Sequence, residues 1–215
     1  MRFVIFKNVK FDIPYTNFTT IALVSTILTL SIIWYFNYFN MSKLIVLLLP
    51  AYLSNPIALW SSKVKFLKPF GKPIDLRLNW FDGKRVFGDS KTFRGFLSGV
   101  LVAVIVTIVF YFAFSSIKVN LYSSLKEALI LGFLAGFGAM GGDLIRSFFK
   151  RRAGIKTGEI WFPFDDLDFV IGALLLLGVY INFPIIFILL TLIGTLTLRF
   201  VTNIFDFIFR LKKFY

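Results

Sequence analysis

The chain has 215 residues, of which 58% are hydrophobic and only 16% are charged, and it carries a net charge of +13. Soluble domains carry about 25% charged residues, so this composition excludes an ordinary soluble domain, a disordered chain and a soluble nucleic-acid-binding domain. The chain has neither Cys nor His, which excludes disulfides, thiolate nucleophiles and imidazole bases.

Apolar stretches along the chain predict six membrane-spanning helices, because a helix needs roughly 20 apolar residues to cross a bilayer. The first stretch is too long for a signal peptide and lacks a small-residue cleavage site, so we interpret it as a retained span. The last uncharged run is too long for one crossing, and the Asn-Phe-Pro sequence at 182–184 predicts a hairpin turn within it. The predicted spans are 18–39, 44–60, 93–115, 124 to beyond 142, 166–181 and 184–205.

The distribution of basic residues supports this number of spans and gives their orientation. With six spans, 21 of the 24 Lys and Arg residues fall on one side of the membrane. Positive charge accumulates on the cytoplasmic side of membrane proteins. We therefore expect a multi-pass protein of the cell membrane, with both termini and the long loops 61–92 and 149–165 in the cytoplasm.

The fourth predicted helix ends in residue types that carry chemistry. Asp143, Ser147 and Lys150 are spaced i, i+4 and i+7, so they share one helix face. The 15 uncharged residues before Asp143 extend about 22 Å as a helix, so crossing the bilayer draws Asp143 to the interface. An ionisable group at that depth indicates a functional site, and a structural ion pair with Arg146 or Arg94 is the alternative.

Five glycines also lie in this helix, between residues 132 and 142. We interpret Gly132 and Gly136 as positions of close helix packing, which small residues commonly serve in membranes. Gly141 and Gly142 directly precede Asp143. There, close packing and the approach of a bulky ligand to the backbone are equally good explanations.

The fifth predicted helix opens with three carboxylates. Asp165 and Asp168 are three residues apart and point the same way on a helix. They are either solvated at the helix start, where the helix dipole favours anions, or bound to a cation. Ligation by oxygen alone suggests Mg²⁺ or another hard ion. We favour a metal role for Asp165 and Asp168, and interpret Asp166 as a helix cap or solvated surface.

Residues 88–95 read GDSKTFRG at the entry to the third span. Lys91, Thr92 and Arg94 offer a point charge, a hydroxyl and a forked guanidinium, which suit a polyphosphate. Anchoring to lipid headgroups is the alternative explanation. Together with the carboxylates and the basic residues of 150–156, this motif fits metal-dependent phosphoryl or nucleotidyl transfer, which needs positioning and charge neutralisation more than an acid–base side chain.

These motifs, together with PAYLSN at 50–55, PID at 73–75 and Thr-Asn at 202–203, resemble the archaeal CDP-archaeol synthase family. They occur in order over about four-fifths of the chain, and their layout is similar to the broader phosphatidate cytidylyltransferase family. The resemblance implies an all-α integral membrane protein, a polytopic helix bundle. Its five-helix cytidylyltransferase core would occupy 44–215, and 1–43 would form a cytoplasmic segment and an extra transmembrane helix.

The resemblance also implies a reaction, in which CTP and unsaturated archaetidic acid give CDP-archaeol and pyrophosphate with Mg²⁺ as cofactor. The implied catalytic residues are Asp143, Lys91, Lys150 and Arg151. The implied substrate-binding residues are Asn55, Asp89, Thr92, Arg94, Ser147 and Lys156. The implied metal ligands are Asp143, Asp165 and Asp168.

The chain departs from the broader family at three places, which favours the archaeal branch. Thr157 stands where that family has Asp, WFPF at 161–164 replaces its His-Gly-Gly stretch, and Asp166 replaces its Arg. The implied partners are CTP and an isoprenoid ether-lipid phosphate in the bilayer, without nucleic acid, and a homodimer is left open. The alternative functions are a small transporter or cation channel, and a structural membrane subunit.

Overall fold

The structure is a computed structural model that describes residues 2–6, 9–12, 39–116, 121–156, 159 and 161–208. Strands β1 (Arg2–Phe6) and β2 (Val9–Asp12) pair as an antiparallel hairpin. Within the described residues, the helices that follow are α1 (Phe39–Trp60), α2 (Phe93–Ser116), α3 (Leu125–Arg152), α4 (Phe164–Leu177) and α5 (Ile185–Ile208). The predicted helix bundle is therefore confirmed.

Four helices of the described region are long and apolar enough to cross a membrane: Lys43–Lys63, Phe93–Ser116, Leu125–Arg152 and Ile185–Thr202. The predicted span over 166–181 is shorter in the structure, because α4 has only 14 residues, or about 21 Å. It stops at Leu177, where the next residues turn and the amides of Tyr180 and Ile181 donate to Leu177 O. The predicted first span lies outside the described residues, except for Phe39, which begins α1.

Helix α3 lies at the centre of the bundle and packs closely on α2 through its glycines. A Cβ at Gly136 would stand 2.7 Å from the Cβ of Ala103, and one at Gly132 would stand 2.8 Å from the hydroxyl of Thr107. Both distances are too short for a real contact, so α2 and α3 approach each other only because no side chain stands there. The predicted packing role of these two glycines is confirmed.

A second row of glycines brings α3 against α4. A Cβ at Gly138 would lie 2.5 Å from Gly172 O, and one at Gly142 would collide with Asp168 O. A Cβ at Gly141 would have no neighbour within 4 Å. Of the two explanations that the sequence left open, packing therefore applies to Gly142, while Gly141 faces open space.

The loop between α1 and α2 is held together by one buried carboxylate. Asp75 has no exposed side-chain surface and accepts hydrogen bonds from the amides of Phe87 (3.0 Å) and Gly88 (2.9 Å). It also accepts from the Arg77 amide at 3.1 Å and pairs with the Arg85 guanidinium at 2.8 Å. Burial alone would raise the pKa of Asp75, but these donors hold that pKa well below its ordinary value.

The same loop is fastened to the start of α2 and to the end of α3. Ile74 N donates to Lys91 O at 2.8 Å, and Phe93 N donates to Lys72 O at 3.1 Å. At the end of α3, Arg152 Nη1 donates to the carbonyls of Arg85 and Val86 at 3.1 Å each. The loop and the last turn of α3 thus meet at one end of the bundle.

We expect Asp75→Asn to expose the amides of Phe87 and Gly88. Losing a hydrogen bond to a charged group costs about 1.5–3 kcal/mol, so hydrogen exchange of these amides should accelerate roughly ten- to hundredfold. In the wild type, the lowered pKa of Asp75 means that its hydrogen bonds stabilise the loop fully above about pH 4. This stabilisation is lost as the pH falls through the folded-state pKa of Asp75. Exchange measured by mass spectrometry at pH 7 checks the variant.

The matched control for this experiment is Asp82→Asn, in the same loop. Asp82 accepts from Lys84 N and Arg152 Nη2 but makes no bond to the two amides. Equal acceleration in both variants would show that the loop depends on its general charge and not on Asp75.

Candidate active site

A cavity of about 850 Å³ opens between all five helices and the loop before α2. Its wall carries seven of the residues that the sequence predicted for the site: Asn55, Asp89, Lys91, Thr92, Arg94, Asp143 and Asp165. Apolar side chains such as Leu59, Phe96, Met140, Phe169 and Leu198 also line the cavity. The cavity therefore combines apolar lining residues with a region of charged side chains in contact with one another, called the ionic end below.

At the ionic end, three carboxylates converge on one guanidinium. Arg146 Nη2 lies 2.5 Å from Asp143 Oδ1, its Nη1 lies 2.9 Å from Asp165 Oδ1, and its Nε lies 2.8 Å from Asp168 Oδ2. The contact with Asp165 lacks hydrogen-bond geometry, so this buried oxygen has an ionic neighbour but no donor. The Arg146 side chain is only 16% exposed. Its fork of donors is what gathers the three acidic groups.

Two lysines complete this cluster from opposite sides. Lys91 Nζ donates to both oxygens of Asp143, at 2.6 and 2.5 Å, and therefore ties the loop to α3. Lys150 Nζ donates to Asp165 Oδ2 at 2.6 Å and ties α3 to α4. Three cationic and three anionic side chains face one another, so the cluster is formally neutral as a whole.

Helical spacing and helix packing together place these groups. Asp143, Arg146 and Lys150 follow one another at i, i+3 and i+7 along α3 and share its face. Asp165 and Asp168 lie in the first turns of α4. The close approach of the two helices brings the two sets into contact, because no side chain separates their backbones at Gly142.

Several predicted residues lie near the cavity without lining it. Ser147 is buried and donates to Asp143 O at 2.8 Å within its own helix, so the predicted substrate contact finds no support in this arrangement.

Lys150 is buried behind Asp165, and Asp168 behind Arg146. Lys156 is exposed, and its backbone amide donates to Glu159 Oε2 at 2.9 Å. Arg151 is partly buried at the end of α3, also outside the cavity lining.

The structure also shows pairs that the sequence analysis did not predict. Asp166 pairs with Arg199 Nε at 3.0 Å and is only 12% exposed, so the interpretation as solvated surface is wrong. The hydroxyls of Tyr52 and Thr195 lie 2.5 Å apart and join α1 to α5. Both pairs border the cavity and link residues far apart in the chain, which no local pattern indicates.

The acidic groups of this cluster offer oxygen donors that suit Mg²⁺. Three carboxylates without nitrogen or sulphur donors are the ligands that this hard ion prefers, and one buried oxygen of Asp165 lacks a donor. Within the described ranges, no group of three or more acidic side chains is placed to hold a metal ion as it stands. The Arg146 guanidinium takes the central position between them. The three carboxylates therefore fit the ion by their oxygen chemistry. The Arg146 guanidinium would have to leave its position between them when the ion binds.

The family of the chain follows from three comparisons. Residues 38–215 match the family described as CarS-like CDP-archaeol synthase. The CDP-archaeol synthase of Methanospirillum hungatei is 38% identical over 174 residues, which cover 77% of this chain and 98% of that protein. The CDP-archaeol synthase of Thermococcus kodakarensis is 44% identical over 144 residues, which cover 67% of this chain and 72% of that protein.

A solved structure with a similar fold is that of an intramembrane enzyme for archaeal membrane lipid biosynthesis. It has a TM-score of 0.60 and 28% sequence identity, and the match covers 74% of this chain and 92% of that one. Its fold and the sequence matches agree with the resemblance found in the motifs. This membrane protein therefore belongs to the CDP-archaeol synthase family, the enzymes that make CDP-archaeol for archaeal membrane lipids.

Proposed function

We propose that this protein transfers the cytidylyl group of CTP to unsaturated archaetidic acid, 2,3-di-O-geranylgeranylglyceryl 1-phosphate. The observation that carries the proposal is one cavity that is lined both by basic groups such as Lys91 and Arg94 and by apolar side chains. A nucleoside triphosphate needs the first and isoprenoid chains need the second. The family of the chain supports the same reaction class.

In this reaction a phosphate oxygen of the lipid attacks the α-phosphorus of CTP. The bond from the α-phosphorus to the bridging oxygen breaks, and pyrophosphate leaves with that electron pair. The attacking oxygen is already ionised at neutral pH, so the step requires no side-chain base. This agrees with a chain that has no His. The protein's contribution is to align the two phosphates and to neutralise their charge.

Basic side chains of the cavity would carry out this alignment. Lys91, fixed by Asp143, contributes an ammonium group to the cavity lining, and Arg94 contributes a guanidinium. Thr92 and Asn55 add neutral polar groups that suit the sugar or the phosphate oxygens. Mg²⁺, held by Asp143, Asp165 and Asp168, would supply further neutralisation of the triphosphate.

The orientation of the site follows from the charge distribution. The loop before α2 and the end of α3 carry half of the Lys and Arg residues of the chain and meet at the ionic end of the cavity. By the positive-inside rule this end faces the cytoplasm, where CTP is available. The isoprenoid chains of the lipid would then enter from the bilayer and contact the apolar lining residues.

The test is CDP-lipid formation by purified protein in detergent with labelled CTP and Mg²⁺. Unsaturated archaetidic acid and diacyl phosphatidate serve as parallel acceptors. We expect product with the archaeal lipid, loss of product with EDTA, and a rate at least about 100-fold lower in Lys91→Gln. Lys126→Gln, the same change at the far end of α3, should keep the wild-type rate.

A folded, monodisperse protein that makes no product with either lipid and does not bind CTP would contradict the proposal. Product with phosphatidate alone would contradict the archaeal substrate while leaving the reaction class intact. Flux of Mg²⁺ or protons through liposomes without CTP would support the transporter explanation instead.

A further inference from the structure

Arg146 has an unusual position among the basic residues of the cavity. Its three guanidinium nitrogens contact Asp143, Asp165 and Asp168, one carboxylate each. Lys91 and Lys150 each contact only one of these carboxylates. Arg146 is therefore the cation, among the described residues, that joins all three acidic groups.

The contacts of Arg146 reduce the electrostatic repulsion among the three carboxylates. Three carboxylates close together in a partly buried site repel one another strongly, and each is exposed by less than a fifth. A single planar cation with several donors relieves that repulsion, because it offers each carboxylate a charge-assisted contact. The three carboxylates thus stay gathered around one cation without a divalent ion to hold them.

We propose that Arg146 is an internal counter-ion that occupies the place of the divalent cation and competes with it for the three carboxylates. This proposal rests on the proposed function, since it assumes that the same carboxylates bind the catalytic metal ion. Two cations cannot share the central position, so binding of the ion displaces the guanidinium.

The displaced guanidinium has a nearby destination. Arg146 lines the cavity that also contains Lys91 and Arg94, where the triphosphate is proposed to lie. A long, flexible side chain that leaves the carboxylates can turn its fork toward phosphate oxygens. Metal binding would then release a phosphate-binding group at the moment when the metal ion itself arrives. Arg146 thereby couples the metal site to the nucleotide site as a positioning residue.

The experiment measures Mn²⁺ binding to purified protein in the absence of CTP and lipid, from the electron paramagnetic resonance signal of free Mn²⁺. Because two ligands that compete for one site are coupled, removing the competitor should tighten the binding of the other by at least about fivefold. We therefore expect a lower Mn²⁺ dissociation constant in Arg146→Gln than in the wild type. In EDTA, the melting temperature of this variant should be lower, and Mn²⁺ should raise it more than it raises that of the wild type.

The matched control is Arg199→Gln, which removes one positive charge at the same cavity. Arg199 pairs with Asp166 and contacts none of the three carboxylates in the described structure. Its Mn²⁺ affinity should stay near the wild-type value. Arg146→Lys keeps the charge but loses the fork, so its Mn²⁺ affinity should fall between those of the wild type and Arg146→Gln. If Arg146→Gln fails to fold, the Mn²⁺ affinity of Arg146→Lys tests the proposal.

Two kinds of result would overturn the proposal, and they can be told apart. If Mn²⁺ binds the wild type but binds Arg146→Gln equally or more weakly, or if Arg199→Gln tightens binding as much, Arg146 is not a specific competitor and the metal site itself remains. If Mn²⁺ binds neither the wild type nor the variants, the metal assignment of the proposed function fails together with the role of Arg146.

Discussion

Replacing Asp143 by Asn is expected to lower the rate of CDP-lipid formation by about 100- to 1000-fold, the usual effect of removing one preorganised electrostatic group. The Asp143 carboxylate fixes Lys91 through both of its oxygens and also contacts Arg146. An amide of the same shape carries no charge and presents only one acceptor oxygen. Lys91 would lose its fixed position, and the proposed metal site would lose one of its three ligands. Steady-state rates with labelled CTP measure the effect.

The same assay includes Asp168→Asn and the control Asp82→Asn. Asp168 contacts Arg146 from α4, so its loss should reduce the rate by a similar factor. Asp82 lies in the loop before α2 and pairs with Arg152, away from the cavity. Wild-type rates in both Asp143→Asn and Asp168→Asn, with unchanged melting temperatures, would eliminate the carboxylate cluster as the reaction centre.

Gly142→Ala is expected to destabilise the protein by about 1–3 kcal/mol, which is typical of forcing an extra carbon into a well-packed interior. The new Cβ would collide with the Asp168 carbonyl, which belongs to the backbone of α4 and cannot rotate away. Helix α4 would have to move outward, and Asp168 would move away from Arg146. A lower melting temperature and a loss of activity should therefore appear together.

The neighbouring Gly141→Ala is a control of identical chemistry. A Cβ at this position would meet nothing within 4 Å, so the change should be neutral or should stabilise α3 by about 0.5–1 kcal/mol through its better helix propensity. Thermal unfolding in detergent, followed by tryptophan fluorescence, compares the two variants. Equal melting temperatures would mean that α3 and α4 are not in tight contact at Gly142.

Periodicity and chain composition were enough to predict the framework of this protein. Long uncharged runs predicted α1, α2, α3 and α5, because apolar length is the main requirement for crossing a bilayer. The predicted start of α1 was five residues late, and the end of α3 was left open. The shared face of Asp143 and Lys150 followed from helical spacing alone. The same reasoning overestimated the length of α4, because hydropathy does not reveal the turns that begin at Gly178.

The centre of the site was less accessible to sequence reasoning. From the sequence, Arg146 was expected only as an ion-pair partner of Asp143, because helical spacing reveals neighbours within α3 but not contacts with Asp165 or Asp168 on another helix. The role of Gly142 was also left open, because only the position of the α4 backbone shows that this glycine serves helix packing. Ser147 shares the helix and lies next to Arg146, yet it turns to its own backbone, which spacing does not reveal.

The reaction is tested most directly by following both ends of CTP in one experiment with the purified wild-type protein and unsaturated archaetidic acid. One CTP sample carries radioactive phosphorus at the α position, and a second carries it at the γ position. If the protein transfers the cytidylyl group, the α label should appear in the organic phase as CDP-lipid. The γ label should appear in aqueous pyrophosphate in an equal amount. Appearance of the γ label in the lipid, or of neither label outside CTP, would contradict it.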